Sequence, residues 1–325
     1  MRAALLFGGI SFLLLVPWGD AVIQALLRRG AGKRIRLDGP ASHQVKAGTA
    51  TMGGLYFLAG IVLATLVIWV CWGYMRPFLV LLAMLCYGAL GAFDDLQGLR
   101  DRTGVGWLAR AKFPAQWGVA LALALIFYWS TEQHLLVFPW SNQVMELGWW
   151  FVPLAMLLFV ATANAVNLTD GLDGLAGGAS VIAFVAYGVL AAQVKAQGLA
   201  LWSFAVAGTL LAFLWFNVHP ARVFMGDTGS EALGAGLAGI ALLSGHWPLL
   251  PLIGIVFVAE ALSVILQVGY FKFTRHRYGR GRRILLMAPL HHHFELKGWA
   301  EEQVTARLWI VAAVAALIGV ALGMK

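Results

Sequence analysis

The chain has 325 residues, 61% of them apolar and only 12% charged, and its mean hydropathy is +0.80. Soluble domains carry about 25% charged residues, and a soluble globule of this length has too much surface to cover with so few. That excludes a soluble enzyme, a disordered chain and a nucleic-acid-binding domain, and the formal charge of +8 reads as the basic excess of membrane-protein loops.

A membrane helix needs roughly 20 mostly apolar residues. Ten runs meet that need, over 3–27, 51–74, 77–94, 113–131, 149–166, 175–194, 199–216, 229–245, 248–271 and 304–323. The first has one preceding charge, Arg2, no small-x-small cleavage site, and Arg28-Arg29 behind it, so it reads as a retained helix. The two cysteines, Cys71 and Cys86, lie inside apolar runs and give neither a disulfide framework nor a zinc spacing. The loop 132–148 has weak alternation and room for a short hairpin. The whole chain, 1–325, reads as a single all-α polytopic membrane domain.

An even number of spans puts both termini on one side. The connections after spans one, three, five, seven and nine then share the other side, and they hold 19 of the 23 Lys and Arg. The positive-inside rule assigns those connections to the cytoplasm and both termini to the outside. Most carboxylates and imidazoles fall there too, among them Asp38, Asp101, Glu295, His43 and His276. Glu132, Glu146, His134 and His246 fall outside, and Asp20 and Glu260 lie within apolar spans. Topology explains the cations but not the acids and histidines. A reactive cytoplasmic face explains both.

Five polar constellations lie on that face. LDGPASHQVKAGTATMGG offers His43 and Lys46 beside glycines, but lacks the Gly-Lys-Ser/Thr order of a phosphate-binding P-loop. GAFDDLQG ends span three with Asp94 and Asp95, whose side chains diverge by about 100° on a helix. Acids at a helix C-terminus oppose the macrodipole and need compensation. NAVNLTDGLDGLAGG repeats Asn164, Asn167, Asp170 and Asp173 every three residues. A capping box with Asp170 at the N-cap accounts for two of these, and a phosphate site at a helix N-terminus uses the same geometry. FNVHPARVFMGDTGS places Asp227 ahead of span eight, with Asn217 and Phe224 around a loop able to present an aromatic face to a base. APLHHHFELKGW has three consecutive histidines, which cannot all point one way and so do not form a three-His metal site. Beside Lys297 they suit a phosphate. Carboxylates without cysteine ligands favour a hard cation such as magnesium, and magnesium with carboxylates suggests phosphate chemistry.

In this order, HQVKAGTATMGG, FDD, NAVNLTDGLDGLAGG, FNVHPARVFMGDTGS and PLHHHFELKGW closely resemble the phospho-N-acetylmuramoyl-pentapeptide transferase family of the polyprenyl-phosphate N-acetylhexosamine-1-phosphate transferase superfamily. PLHHHFE separates this family from its relatives. The resemblance implies ten membrane helices with both termini outside, a homodimer in the bacterial inner (plasma) membrane, and an active site on the cytoplasmic face. It implies transfer of phospho-MurNAc-pentapeptide from UDP-MurNAc-pentapeptide to undecaprenyl phosphate, giving lipid I and UMP, with Mg2+ as cofactor.

Carried over by resemblance, Asp94, Asp95 and Asp227 match the essential acids, with Asp227 as magnesium ligand and Asp94 as candidate base. Asn167, Asp170, Gly171, Leu172 and Asp173 match the nucleoside-site loop. Asn217, Phe224 and Gln267 match residues around the uridine, with Phe224 stacking on uracil. Lys46, Lys112, His291, His292 and His293 match groups beside the phosphates and sugar. The chain departs from the family at Ala50, where proline is usual, and at Gly98, where lysine is usual. Two other readings compete. One is a UDP-GlcNAc:polyprenyl-phosphate GlcNAc-1-phosphate transferase. The other is a transporter using Asp20 and Glu260.

Overall fold

The computed structural model describes residues 1–32, 46, 48–101, 106–130, 135–137 and 144–324. His43, Arg102, Glu132 and His134 lie outside the described residues. The first span consists of α1 (Arg2–Leu15) and α2 (Gly19–Arg28), parted at Val16–Trp18, where Pro17 has no amide N–H to donate. α3 (Gly54–Trp72), α4 (Arg76–Arg100) and α5 (Ala109–Ser130) follow. The hairpin expected after α5 is present: β1 (Leu135–Val137) pairs antiparallel with β2 (Val144–Glu146), Leu135 opposite Glu146. Next come α6 (Phe151–Thr169), α7 (Leu175–Gln193), α8 (Gln197–Asn217) and α9 (Gly226–Leu243). A short α10 (Leu250–Ile253), α11 (Ile255–Tyr278), a short α12 (Leu290–Leu296) and α13 (Glu301–Gly323) complete the chain.

Among the described residues, nine helices are long and apolar enough to cross a membrane. α9 is the tenth long helix, less apolar because its first turns carry Asp227 and Glu231. It is nonetheless deeply buried, packed between α4 and α6. α8 is the other central helix, against α1, α3 and α7. Its Trp202 is fully buried and donates from Nε1 to Thr65 Oγ1 at 3.0 Å, which satisfies the indole N–H inside the bundle. The C-terminal ends of α4, α6 and α8 meet the N-terminal ends of α5, α7, α9 and α13, so the polar connections collect at one end.

Three expectations change. α4 runs on to Arg100, so Asp94 and Asp95 lie within its final turns and not at its end. α7 starts at Leu175 behind Gly174, so Asp170 closes α6 and the capping box does not form. The ninth predicted span is broken at Gly254, and its main part, α11, extends past the apolar run to a basic last turn with Arg275, His276 and Arg277. Cations there suit the negative end of the helix dipole.

Candidate active site

Lys112 stands in the first turn of α5 and reaches three carboxylates. Its Nζ lies 2.5 Å from Asp94 Oδ2 on α4, 2.5 Å from Asp227 Oδ2 and 2.6 Å from Glu231 Oε1, both on α9. Asp227 and Glu231 are four residues apart, which puts both on one helix face. Asn167, in the last turn of α6, donates to Ser230 Oγ at 3.1 Å and neighbours Asp227. One oxygen each from Asp94, Asp227 and Glu231 lies within 4.8 Å of the others. An all-carboxylate set of this size fits a hard divalent cation. Glu231 is not among the residues that the sequence motifs single out. Its signal is the i, i+4 spacing from Asp227 in GDTGSE, hidden because the glutamate opens an apolar run.

Asp95 turns to a different partner, as adjacent helical positions require. Its Oδ1 accepts from the Asp227 N–H at 3.0 Å, and its Oδ2 accepts from the Thr228 N–H at 2.9 Å and the Thr228 hydroxyl at 2.6 Å. It therefore caps α9 from outside that helix. Both acids of the pair are compensated, Asp94 by an ammonium and Asp95 by the positive end of α9. Asp95→Ala is expected to destabilise the fold by about 1–2 kcal/mol through loss of this cap. Thermal unfolding in detergent, compared with the exposed-site variant Glu302→Ala, checks it.

A second polar junction lies at Lys46. Its Nζ is 2.7 Å from Asp173 Oδ1 and 2.6 Å from Glu301 Oε1 on the first turn of α13. The Asp173 N–H donates to Glu301 Oε1 at 2.7 Å. Asp173 Oδ2 accepts from the Ala221 N–H at 3.1 Å and lies 2.9 Å from His219 Nδ1. Burial by itself lowers the Lys46 pKa, but hydrogen bonds and charge from Asp173 and Glu301 outweigh it and hold the ammonium above its ordinary 10.5. Burial raises Asp173, but Lys46, the Ala221 N–H and His219 outweigh it and hold the carboxyl below its ordinary 3.8. The pair is thus ionised throughout the neutral range. Asp173, His219 and Glu301 form a second group whose ligand atoms could share a cation.

Phe224 lies beside this junction, its ring centroid 5.9 Å from Lys46 Nζ. Asn217 is buried and ties two loops together, accepting from the Gly174 N–H at 3.1 Å and donating to the Val223 carbonyl at 2.8 Å. The Phe224 N–H donates to the Ala50 carbonyl at 2.7 Å. That contact uses only a backbone oxygen, which proline would also supply. Gly98 lies one turn beyond Asp94 on α4 and offers no cation.

The 170–173 turn also touches the histidine segment. The Asp170 N–H closes α6 on the Val166 and Asn167 carbonyls, both at 3.2 Å, and Leu172 is buried. A Cβ on Gly171 would lie 2.2 Å from His291 Nε2. His291 is itself buried, with Nδ1 3.1 Å from Glu260 Oε2 on α11. The other two imidazoles turn elsewhere: His292 Nδ1 lies 2.7 Å from Glu295 Oε2, and His293 Nδ1 accepts from the Leu286 N–H at 3.1 Å. Gln267 braces the same segment, accepting from the Ile284 and Leu285 N–H groups and donating to the Leu285 carbonyl, each at 3.0 Å. Of the two acids in apolar spans, Asp20 pairs with Arg222, and Glu260 turns one oxygen, Oε2, to His291.

The structure therefore joins Asp94, Lys112, Asp227 and Asn167 in one centre, and Lys46, Asp173, Asn217 and Phe224 in another. The turn 170–173 links the second to His291, while Gln267, His292 and His293 sit on the α11–α12 segment. Residues 77–245 match the description glycosyl transferase family 4. The chain is 46% identical to a phospho-N-acetylmuramoyl-pentapeptide-transferase of Chloroflexus aurantiacus, over 100% of its own length and 90% of that protein's. It is 42% identical to the Geobacillus kaustophilus protein of that name, covering 98% and 97%, and 40% identical to that of Listeria welshimeri, covering 96% and 95%. The acid–ammonium centre falls wholly inside the matched family region, and the similarity runs through every constellation described above, so the chain belongs to glycosyl transferase family 4 and, within it, to the phospho-N-acetylmuramoyl-pentapeptide-transferases.

Proposed function

We propose that this chain transfers phospho-MurNAc-pentapeptide from UDP-MurNAc-pentapeptide to undecaprenyl phosphate, giving lipid I and UMP. The observation that carries the reading is the meeting of two separated motifs, at Asp94 and Asp227, on the one ammonium of Lys112. The two substrates each bring phosphate charge, and three carboxylates around one lysine would repel them. Asp94, Asp227 and neighbouring oxygens would hold Mg2+. Bound there, Mg2+ would offset the diphosphate charge and stabilise the leaving UMP. Lys112 and Lys46 attract the phosphates, and with Asp94 committed to the cation, the positive charge of the site itself favours the deprotonated lipid phosphate. Asp95 holds α9 in place, and through it Asp227. Seating both phosphates at the membrane surface replaces a slow encounter with proximity.

The proposed topology has ten spans, both termini outside and the site on the cytoplasmic face of the bacterial inner membrane, with the chain acting as a homodimer. The positive bias of the site-side connections supports the orientation. Incubating purified protein with undecaprenyl phosphate and either UDP-MurNAc-pentapeptide or UDP-GlcNAc tests the reaction. Magnesium-dependent UMP release from the first is expected. Release only from UDP-GlcNAc would establish the GlcNAc-1-phosphate reading instead, against which PLHHHFE argues.

Phe224 is proposed to stack on uracil. Base–aromatic stacking contributes about 1–3 kcal/mol, so Phe224→Ala is expected to weaken uridine-nucleotide binding by about tenfold or more with a smaller effect on kcat. Calorimetric titration with UDP is the measurement, and an unchanged Kd refutes the stacking role.

A further inference from the structure

Glu231 differs from every other acid near the site. The residue is fully buried on α9, and neither carboxylate oxygen has a well-aligned hydrogen-bond partner. Its Oε1 instead points at the Lys112 ammonium, 2.6 Å away, where Asp94 and Asp227 also converge. A buried carboxylate without hydrogen bonds is costly, and a fold retains one when a cation compensates it. Lys112 supplies one positive charge to three carboxylates. Two negative charges remain when all three are ionised, which matches one divalent cation. Lys112 is already a cation at the focus of these oxygens, and all three ligand atoms lie within 4.8 Å of one another.

We infer that Glu231 is a third carboxylate ligand of the divalent-cation site, with Asp94 and Asp227, and that Lys112 holds the place of part of that charge in the metal-free protein. The inference rests on the transferase reading for its purpose, but the site itself can be measured without turnover. The one other polar group beside Glu231 among the described residues is the Gln116 amide, a neutral dipole that cannot offset the charge of a buried carboxylate. The geometry also gives Glu231 a role distinct from that of Asp95, whose oxygens are taken up by the N-terminus of α9.

Mn2+ is the probe, a hard oxygen-seeking ion whose free aqueous form is counted by its paramagnetic resonance signal. The full chain in detergent is titrated as wild type, Glu231→Gln and Glu231→Leu. Glutamine keeps the shape and removes the charge. Leucine suits the buried apolar face should glutamine impair folding, and cooperative thermal unfolding identifies the folded variants. A rise in Mn2+ Kd of about tenfold or more is expected in either folded variant, the scale on which altered metal surroundings act. Wild-type Mn2+ affinity in a folded variant overturns the inference. UMP release by the wild-type protein is measured alongside. If that release occurs while the variants keep wild-type Mn2+ affinity, Glu231 is not a ligand and the transferase reading stands. If Mn2+ binding depends on Glu231 but no UMP appears, the cation site stands and the transferase reading falls.

Discussion

Asp227→Ala is expected to lower kcat by about a thousandfold or more, close to 4 kcal/mol of transition-state stabilisation. Loss of a single preorganised electrostatic contact at a reacting centre costs about a hundredfold to a thousandfold, and Asp227 makes several. It shares Lys112 with Asp94, supplies an oxygen to the candidate cation site, and lies at the start of α9 where Asp95 receives its N–H. Alanine keeps that backbone N–H, so the cap survives and the helix stays in register. The damage is thus confined to charge. Lys112 would remain between Asp94 and Glu231 alone, and the site would hold one ligand fewer for Mg2+. Affinity for uridine itself, which lacks the diphosphate, is expected to stay within a few fold, because Lys46, Asp173 and Phe224 form a separate junction. UMP release measured at saturating magnesium and substrate is the test. Wild-type rates there refute the proposed ligand role.

The membrane spans were legible because a bilayer demands long apolar runs, and such runs leave little ambiguity. What blurred were their ends. α4 continues six residues past its apolar part, since Lys112 and the N-terminus of α9 make its two aspartates tolerable within a helix. No local pattern announces a partner that arrives from another helix. Glu301 is the plainest case. In sequence it is an acid just ahead of the last apolar run, 304–323, where the helix dipole favours a negative charge without any function. In the fold it accepts from Lys46, 255 residues away, and from the Asp173 N–H. Asp170 and Asp173 mimicked a capping box because the same residue types serve caps and polar junctions alike. Gln267 was legible as a site residue only by resemblance, and Asn217 was legible from the residues only as the edge of a loop beside Phe224. Their amides are engaged with backbone groups of nearby segments, which sequence spacing alone does not reveal.

Gly91→Ala is expected to reduce kcat by about a hundredfold and to destabilise the fold by about 1–3 kcal/mol, although Gly91 bears no functional group. A Cβ at this position would lie 2.1 Å from the Asp227 carbonyl oxygen and 2.6 Å from the Thr228 nitrogen. Both obstacles are backbone atoms in the first turn of α9, so no side chain can swing aside. Either α4 or α9 has to shift. Asp95 lies four residues further along α4, on the same face as Gly91, so the shift pulls it from the Asp227 and Thr228 N–H groups. It also separates Asp94 from Asp227 across Lys112, where contacts of 2.5 Å leave no slack. Gly118 on α5 is the control, because a Cβ there meets nothing within 4 Å. Gly118→Ala is expected to leave activity unchanged and to stabilise the helix by up to about 1 kcal/mol. The two substitutions add the same methyl group, so a difference between them isolates the approach of α4 to α9. UDP binding by Gly91→Ala should stay near wild type, since Lys46 and Phe224 lie on other segments. Full turnover by this variant would mean that α4 can withdraw from α9 without disturbing the reacting groups, and the positioning role assigned to Asp95 would fall with it.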